Sequence, residues 1–234
     1  MTQMIEREEE LLIQAHLGAQ SGGVTREAVV AAAAWAAIVE VDVQLSRDEE
    51  FVLYHDYTFP DGRWVHETDY ADCARVLRAE LPVHSDFLDL DGAASLAREL
   101  GVILCLDVKS GMGREHAIHH ALVRWLEATA TDAVHVSDWD HAGLRLVKAL
   151  HPQVTVRGAV RGRLVDPIAA ARSADLDGLN LAWDCTRPKD VASLRDYGYV
   201  VAFFGGWGNR FLPHAQACEV DIVISDSAPS GDSS

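Results

Sequence analysis

Three acidic residues are spaced so that their carboxylates can act together. Glu40 and Asp42 alternate with valines in Val39–Val43, so both point the same way from one strand. Asp107 lies at the end of another apolar run, Val102–Val108. Three carboxylates packed together repel one another unless a cation joins them, and oxygen ligands suit Mg²⁺ or Ca²⁺. The pattern favours one divalent cation on these acids over separate ion pairs with basic side chains or helix ends.

Two histidines lie at the ends of other apolar stretches. His16 follows the run Leu11–Ala15, and His55 ends the stretch Phe51–His55 and is followed at once by Asp56. An unperturbed imidazole titrates near neutrality, so two of them suit an acid and a base. A single histidine is more often structural, but two beside a carboxylate cluster favour catalysis. We interpret His16 and His55 as the candidate acid–base pair.

Positioning these side chains requires a sheet whose strands end at one place, and the chain is patterned for one. Eight short apolar runs alternate with helical patterns along the sequence. The runs are Leu11–Ala15, Ile38–Val43, Val102–Val108, Ala133–Ser137, Val154–Val160, Leu176–Leu181, Tyr199–Phe204 and Val220–Ser225. The predicted helices are Arg26–Ala37, Asp89–Leu100, Arg114–Thr129, His141–Leu150, Asp166–Ala174, Lys189–Tyr197 and Arg210–Ala217.

Eight such βα units predict an α/β protein with a single (β/α)8 TIM barrel rather than an open doubly wound sheet. The C-terminal ends of the strands would then bring the polar side chains to one end of the barrel. An antiparallel sheet with one solvent-exposed face also shows alternating polar and apolar residues, but the intervening helices disfavour it. We expect Phe51–His55 to form a hairpin arm or a strand extension rather than a ninth barrel strand. We predict one domain over residues 1–226 and a flexible tail over 227–234.

Composition excludes several classes of function. The 234 residues include 36 acidic and 20 basic ones, a formal net charge of −16, which repels nucleic acid and anionic membranes. We find no basic, apolar-centred leader and no apolar stretch of about 18 residues, so we expect a cytoplasmic protein without a membrane span. Four cysteines without metal-like spacing are expected to be free thiols: Cys73, Cys105, Cys185 and Cys218.

Taken in order, these residues resemble the glycerophosphodiester phosphodiesterase family. The matching segments are His16-Leu17-Gly18 with that family's H-R-G, Val39–Val43 with I-E-x-D-V, Tyr54-His55-Asp56 with H-D, Leu106–Lys109 with E-I-K, and Val220–Asp226 with G-V-D-x-I-x-T-D. The resemblance implies a TIM barrel, His16 and His55 as acid and base, and Lys109 on the phosphate. It also implies a divalent ion on the acidic cluster and a small-molecule or lipid-derived phosphodiester substrate.

Three departures leave the substrate open. Leu17 stands where the family has Arg, Gly22–Thr25 replaces P-E-N-T, and Asp107 replaces Glu. Asp at that position, the missing Arg and the D-x-K-[ST]-G pattern of Asp107–Gly111 look like the related sphingomyelinase D group. Both glycerophosphodiesters and lysophospholipid-like diesters are therefore candidate substrates. In these relatives a substrate hydroxyl is often the attacking group, which would give a cyclic phosphate first.

Further residues are candidate substrate contacts. Arg157 points inward by strand parity and is either a phosphate clamp or the salt-bridge partner of a site acid. Phe204 falls where the family carries an aromatic residue, and Trp207, in a predicted active-site loop, is placed to cover a choline or glycerol head group. Both are also plausible packing residues. Three histidines lie on one predicted helix, His116, His119 and His120. His116 and His120 share a face, which is expected to be solvated rather than a metal site.

Two other functions are kept as alternatives. A catalytically degenerate barrel that binds a phosphorylated ligand or a partner protein is favoured by Leu17 and the replaced P-E-N-T segment. A metal-dependent phosphatase of phosphomonoesters would normally show more histidines at strand ends. The intact acids and histidines, together with Lys109, favour a phosphodiesterase.

Overall fold

The structure, a computed structural model, describes residues 11–17, 23–129, 132–205 and 212–228. Its strands are β1 (Leu12–His16), β2 (Ile38–Leu45), β3 (Phe51–Leu53), β4 (Ile103–Val108), β5 (Val134–Asp138), β6 (Thr155–Val160), β7 (Gly178–Ala182), β8 (Val200–Phe204) and β9 (Ile222–Ser225). Its α-helices are α1 (Arg26–Ala33), α2 (Tyr70–Ala79), α3 (Leu90–Leu100), α4 (Glu115–Ala128), α5 (His141–Leu150), α6 (Pro167–Ser173), α7 (Pro188–Asp196) and α8 (Leu212–Cys218). Short 3₁₀ helices cover Val65–Glu67 and Trp183–Cys185.

Eight of these strands form a closed parallel barrel. From β9 the order runs through β8, β7, β6, β5 and β4 to β2, and β1 closes the ring by pairing with both β2 and β9. Strand β3 pairs antiparallel with β2 and extends it as an arm. The predicted (β/α)8 barrel is therefore confirmed, and the arm lies where Phe51–His55 was expected to form one.

Strand parity separates the inside of the barrel from the core beneath the helices. On β2, Val39, Val41 and Val43 belong to the large core that the helices cover. Ile38 instead belongs to a smaller apolar cluster with Cys105, Ala202, Ile222 and Ile224. Glu40 and Asp42 share the face of Ile38 and follow it towards the C-terminal end of the strand. The apolar cluster thus closes the lower part of the barrel, and the polar residues lie above it.

The segment between the arm and α3 differs from the prediction. The sequence pattern predicts no helix between His55 and Asp89, whereas the structure contains α2 over Tyr70–Ala79. One face of α2 packs on the arm and forms a separate small core of buried side chains: Val52, Tyr54, Phe59, Val65, Cys73 and Leu77. The pattern was missed because α2 covers this small core rather than the barrel.

Two other expectations can be compared with the described residues. Cys73, Cys105, Cys185 and Cys218 are free, as expected. Within the described ranges, no helix is long and apolar enough to cross a membrane. Residues 229–234 of the predicted tail and Trp207 lie outside the described residues.

Candidate active site

The three predicted acids come together at the C-terminal end of the barrel. Glu40 and Asp42 lie on β2, and Asp42 is in register with Asp107 on the neighbouring β4. One carboxylate oxygen of each lies within 4.8 Å of the others. All three side chains are buried. Alternation along β2 and the parallel register of β2 and β4 are sufficient to build this cluster.

Lys109 supplies positive charge to the cluster. Its Nζ lies 2.7 Å from Asp42 Oδ1 and 2.5 Å from Asp107 Oδ2, and the Ser137 hydroxyl donates to Asp107 Oδ1 at 2.8 Å. Burial alone would lower the pKa of Lys109, but the carboxylates of Asp107 and Asp42 outweigh burial and raise it. Lys109 therefore remains an ammonium group at the place where three carboxylates require a cation.

Glu40 is held from below by a chain of hydrogen bonds. Gln14 Nε2 donates to Glu40 Oε2, and Arg157 Nη2 donates to Gln14 Oε1 at 2.5 Å. Arg157 is fully buried and also contacts Cys105 Sγ at 3.3 Å. Burial raises the pKa of Glu40 to about 7, with Asp107 and Asp42 adding to the effect and His16 opposing it.

Arg157 therefore points inward, as parity predicted, but it lies beneath the acids rather than at the open end. Within the described chain its contact with the acidic cluster runs through Gln14, not through a direct ion pair. His135, inward on β5, lies close enough to Arg157 for the charge of the arginine to affect its pKa. Burial, together with the charge of Arg157, lowers the pKa of His135 to about 3, so this imidazole is neutral.

The two predicted catalytic histidines face each other beside the acids. Their ring centroids are 5.8 Å apart in an edge-to-face arrangement. His16 Nδ1 lies 2.8 Å from Asp226 Oδ1, while its Nε2 is 3.8 Å from Asp42 and 3.9 Å from Glu40. His55 Nδ1 lies 2.8 Å from Asp56 Oδ1. Each ring is thus anchored through Nδ1, which leaves Nε2 for chemistry.

The environment of His16 favours its charged form. Burial alone would lower the pKa of His16, but the hydrogen bond to Asp226 and the charges of Glu40 and Asp42 raise it to about 9. Leu17, at the family's arginine position, packs its side chain against the core, and its amide donates to the Glu40 carbonyl at 3.2 Å. The departure from the family pattern thus places an apolar side chain where the family places a cation.

Aromatic rings cover the opposite part of the barrel mouth. Phe204, at the end of β8, meets Trp139, which follows β5, with ring centroids 5.6 Å apart. Strands β6 and β7 lie between β5 and β8 in the barrel, so this contact spans the mouth above them. The mouth therefore has a charged side over β1, β2 and β4 and an aromatic side over β6 and β7.

His116 and His120 are exposed, as expected, whereas His119 on the same helix is buried. His119 on α4 is 1% exposed. Its Nε2 lies 2.8 Å from Asp138 Oδ2, and its Nδ1 lies 2.5 Å from the Glu115 carbonyl oxygen. Asp138 also accepts a hydrogen bond of 2.9 Å from Ser110 Oγ. The spacing predicted the exposed face of His116 and His120 but did not reveal that α5 packs over His119.

Gln14, Ser137 and Asp226 also contribute to the site, although the sequence pattern alone gives them no role. Gln14 shares the inward face of His16, and Ser137 lies opposite Asp107 in the register of β5 with β4. Asp226 lies in the last matching segment of the family pattern. Parity was therefore a usable signal for Gln14 and Ser137. The pairing of Asp226 with His16 depends on barrel closure.

A closed barrel with clustered acids and two carboxylate-anchored histidines at its C-terminal end has the parts for acid–base hydrolysis of an ester. The sequence model of the Glycerophosphoryl diester phosphodiesterase family matches residues 26–227. The chain therefore belongs to this family, and it is a glycerophosphodiester phosphodiesterase-like hydrolase of phosphoric diesters. The match begins after His16, so the placement of His16 rests on the geometry given above.

Solved structures from several bacteria share this fold. A phosphodiesterase from Oleispira antarctica, solved with the product sn-glycerol-3-phosphate, is 21% identical with a TM-score of 0.78, and 93% of each chain is covered. A glycerophosphodiester phosphodiesterase from Parabacteroides distasonis is 17% identical with a TM-score of 0.79, again with 93% of each chain covered. One from Thermotoga maritima is 16% identical with a TM-score of 0.70, covering 93% of this chain and 95% of the other. No curated protein sequence matches the chain.

Proposed function

We propose that the protein hydrolyses glycerophosphodiesters or lysophospholipid-like diesters with His16 and His55 as acid and base and with one divalent cation. The observation that carries the proposal is the pair of facing imidazoles, 5.8 Å apart, directly beside the acidic cluster. Family membership supports the phosphodiester bond as the target. The free cysteines are consistent with the cytoplasmic location expected from the sequence, which stays a prediction.

The acidic cluster fits a hard divalent cation. Glu40, Asp42 and Asp107 offer buried carboxylate oxygens within 4.8 Å of one another, the donor type that Mg²⁺ and Ca²⁺ prefer. A second set of possible donors, His16, Asp42 and His55, shares Asp42. We favour the all-oxygen set, because it leaves both histidines free for proton transfer. Bound there, the cation would stabilise negative charge that develops on the phosphate.

The proton transfers follow from how each ring is held. With Nδ1 on a carboxylate, each imidazole presents Nε2 in a fixed direction. One Nε2 removes the proton of the attacking hydroxyl or water as its oxygen bonds to phosphorus. The other gives a proton to the leaving oxygen as its bond to phosphorus breaks. Two rings are needed because the attacking and leaving groups lie on opposite sides of the phosphate.

The remaining predicted contacts divide by position. Lys109 offsets the charge of the phosphate from beside the acids, as an ammonium that can reach a non-bridging oxygen. Phe204 borders the part of the mouth where the alcohol group of the diester would lie, and Trp207 keeps the same proposed role. Arg157 contributes positive charge from beneath the site, through Gln14, rather than as a clamp in the open mouth.

Phosphorus NMR of the protein with Mg²⁺ or Ca²⁺ tests the proposal. The substrates are glycerophosphocholine, glycerophosphoethanolamine, lysophosphatidylcholine and a phosphomonoester control. Glycerol phosphate from the first two supports glycerophosphodiester hydrolysis, and a cyclic phosphate from the lysolipid supports the sphingomyelinase D-like branch. Turnover of the phosphomonoester alone, or silence on every diester, would overturn the proposal.

The cation has its own test, which does not depend on the substrate. Calorimetric titration with Mg²⁺ and Ca²⁺ should show one site, and Asp107→Asn should weaken it at least tenfold, because the cluster loses one of three negative charges. Asp91→Asn, a carboxylate on α3 outside the cluster, is the matched control. Equal affinity in Asp107→Asn would place the cation elsewhere.

A further inference from the structure

Exposed apolar side chains are concentrated beside the barrel mouth. Nine large hydrophobic side chains are exposed in the described part of the chain. Four of them lie in three loops: Met112, Trp139, Leu164 and Val165. The loops follow β4, β5 and β6, which are neighbours in the barrel, so they form one continuous stretch of its C-terminal end. We call the three loops, residues 109–114, 139–140 and 161–166, the apolar rim.

The backbone of the rim holds these side chains outward. Met112 has a φ of 66°, in the left-handed region that a methionine seldom adopts, and it lies at a turn between Gly111 and Gly113. Val165 is fully exposed, next to Leu164. A strained, solvent-facing methionine and a fully exposed valine are unfavourable in water, where their apolar surface is left hydrated. Such a patch beside an active site indicates a surface that is covered during function.

The charge of the rim is opposite to that of the chain. Lys109 is already paired with Asp42 and Asp107, which leaves three basic residues, Arg114, Arg161 and Arg163, against two acidic ones, Asp140 and Asp166. Both acids are helix N-caps whose carboxylates already accept backbone hydrogen bonds. The whole chain carries −16, yet charges more than about 8–10 Å from a contact are screened at physiological salt. A surface that touches the rim therefore meets a local excess of positive charge.

We propose that the apolar rim docks the mouth of the barrel on an anionic phospholipid bilayer. Arg161 and Arg163 would pair with lipid phosphates, while the exposed apolar side chains enter the boundary between head groups and acyl chains, where tryptophan is also favoured. A second copy docked through the same rim is a poorer occupant, because Arg161 and Arg163 of one copy would face those of the other. The net charge was expected to repel anionic membranes, and the proposal makes the rim an exception to that expectation. It also deepens the proposed function, on which this step rests, because a docked mouth takes its diester from the lipid surface.

Vesicle sedimentation tests the docking directly. The full chain is incubated with large vesicles of phosphatidylcholine alone or with one third phosphatidylglycerol, and the bound fraction is measured. We expect binding to the mixed vesicles that weakens as salt is raised. Val165→Asp should weaken it about tenfold, because a charge replaces an apolar side chain at the boundary. Arg161→Glu with Arg163→Glu should have at least as large an effect.

The matched control lies at the other end of the barrel. Leu150→Asp makes a similar change at an exposed residue at the end of α5, where the chain leads into the N-terminal end of β6. It should bind vesicles as the unaltered protein does. Failure of the unaltered protein to sediment, or equal losses in Leu150→Asp and Val165→Asp, would overturn the proposal.

Hydrolysis of a water-soluble substrate separates this inference from the proposed function. Val165→Asp should hydrolyse glycerophosphocholine at the unaltered rate and lose activity only on lysophosphatidylcholine presented in mixed vesicles. Vesicle binding without hydrolysis of any diester would reject the proposed function and leave the docking intact. Hydrolysis of glycerophosphocholine without vesicle binding would reject the docking alone.

Discussion

Two of the histidine–carboxylate pairs have the same N···O distance and different surroundings. His16 lies 2.8 Å from Asp226, and His119 lies 2.8 Å from Asp138. The second nitrogen of His16 has only acid oxygens at 3.8 and 3.9 Å, beyond hydrogen-bond distance. The second nitrogen of His119 is held by a backbone carbonyl, and its ring is almost fully buried. A pair of this kind can transfer protons only where one nitrogen is left open.

The largest effect on kcat should come from replacing His16 or His55, whose Nε2 atoms are not held by a hydrogen bond within the described ranges. His16→Asn and His55→Asn should each lower kcat by about 10²–10⁴-fold, the usual contribution of a general acid or base. Neither should change the melting temperature much, because both rings border the open mouth. Steady-state kinetics and thermal unfolding measure the two readouts. His120→Asn, on the exposed face of α4, is the control, and a fully active His16→Asn would remove His16 from the mechanism.

Removing the buried His119–Asp138 pair should lower stability and leave activity almost unchanged. His119→Gln should lower the free energy of unfolding by roughly 3 kcal/mol, because Asp138 keeps its charge in a buried place without its partner. The kcat should change only a few-fold. Urea unfolding followed by circular dichroism gives the first value. If stability stayed within about 0.5 kcal/mol of the unaltered protein, the buried pair would not be holding α4 to the barrel.

A substitution at Gly143, which leaves space for the His119 ring, should perturb the His119–Asp138 pair less strongly. Gly143 on α5 has no side chain, and a Cβ there would clash with the His119 ring. Gly143→Ala should therefore cost about 1–3 kcal/mol by displacing that ring. The double variant with His119→Ala should lose less than the two single losses added together, since the clash has gone. Strict additivity would mean that Gly143 matters for another reason.

The smallest effect should be a pH dependence of stability. Burial alone would lower the pKa of His119, but the hydrogen bond and charge of Asp138 raise it above 6.5, its ordinary value. Because the folded-state pKa is the higher one, the stabilisation is complete below pH 6.5 and is lost as pH rises through the folded-state value. The gap in urea midpoint between the unaltered protein and His119→Gln should narrow as pH rises above 6.5. If the gap widened as pH rose, the neutral His119 ring would stabilise the fold more than the charged ring does.

Local alternation is sufficient to predict the barrel and its acidic cluster. Side chains two residues apart on a strand share a face, so the pairing of Glu40 with Asp42 follows from the sequence alone. The parallel register then places Asp107 beside Asp42, as a barrel of βα units requires. Such features need only the strand period and the alternation of strands with helices.

Features that depend on distant packing were not predictable in the same way. The burial of His119 depends on Gly143, which belongs to the next helix. The support of Glu40 by Arg157 passes through Gln14, and it joins strands that lie far apart in sequence. Helix α2 was missed because it buries its apolar face against a short arm rather than against the barrel. In each case the role of the residue depends on a contact with a distant part of the sequence, which the local pattern does not identify.

The bond between His16 and Asp226 joins residues 210 positions apart, on the first strand and just after the last. During synthesis on the ribosome, His16 therefore cannot pair with Asp226 until Asp226 has been made and has left the exit tunnel. A nascent chain can assemble Glu40, Asp42 and Asp107 early, but it cannot orient His16 until β9 has joined β1. With His16 as acid or base, as proposed, activity would begin only after β9 has joined β1.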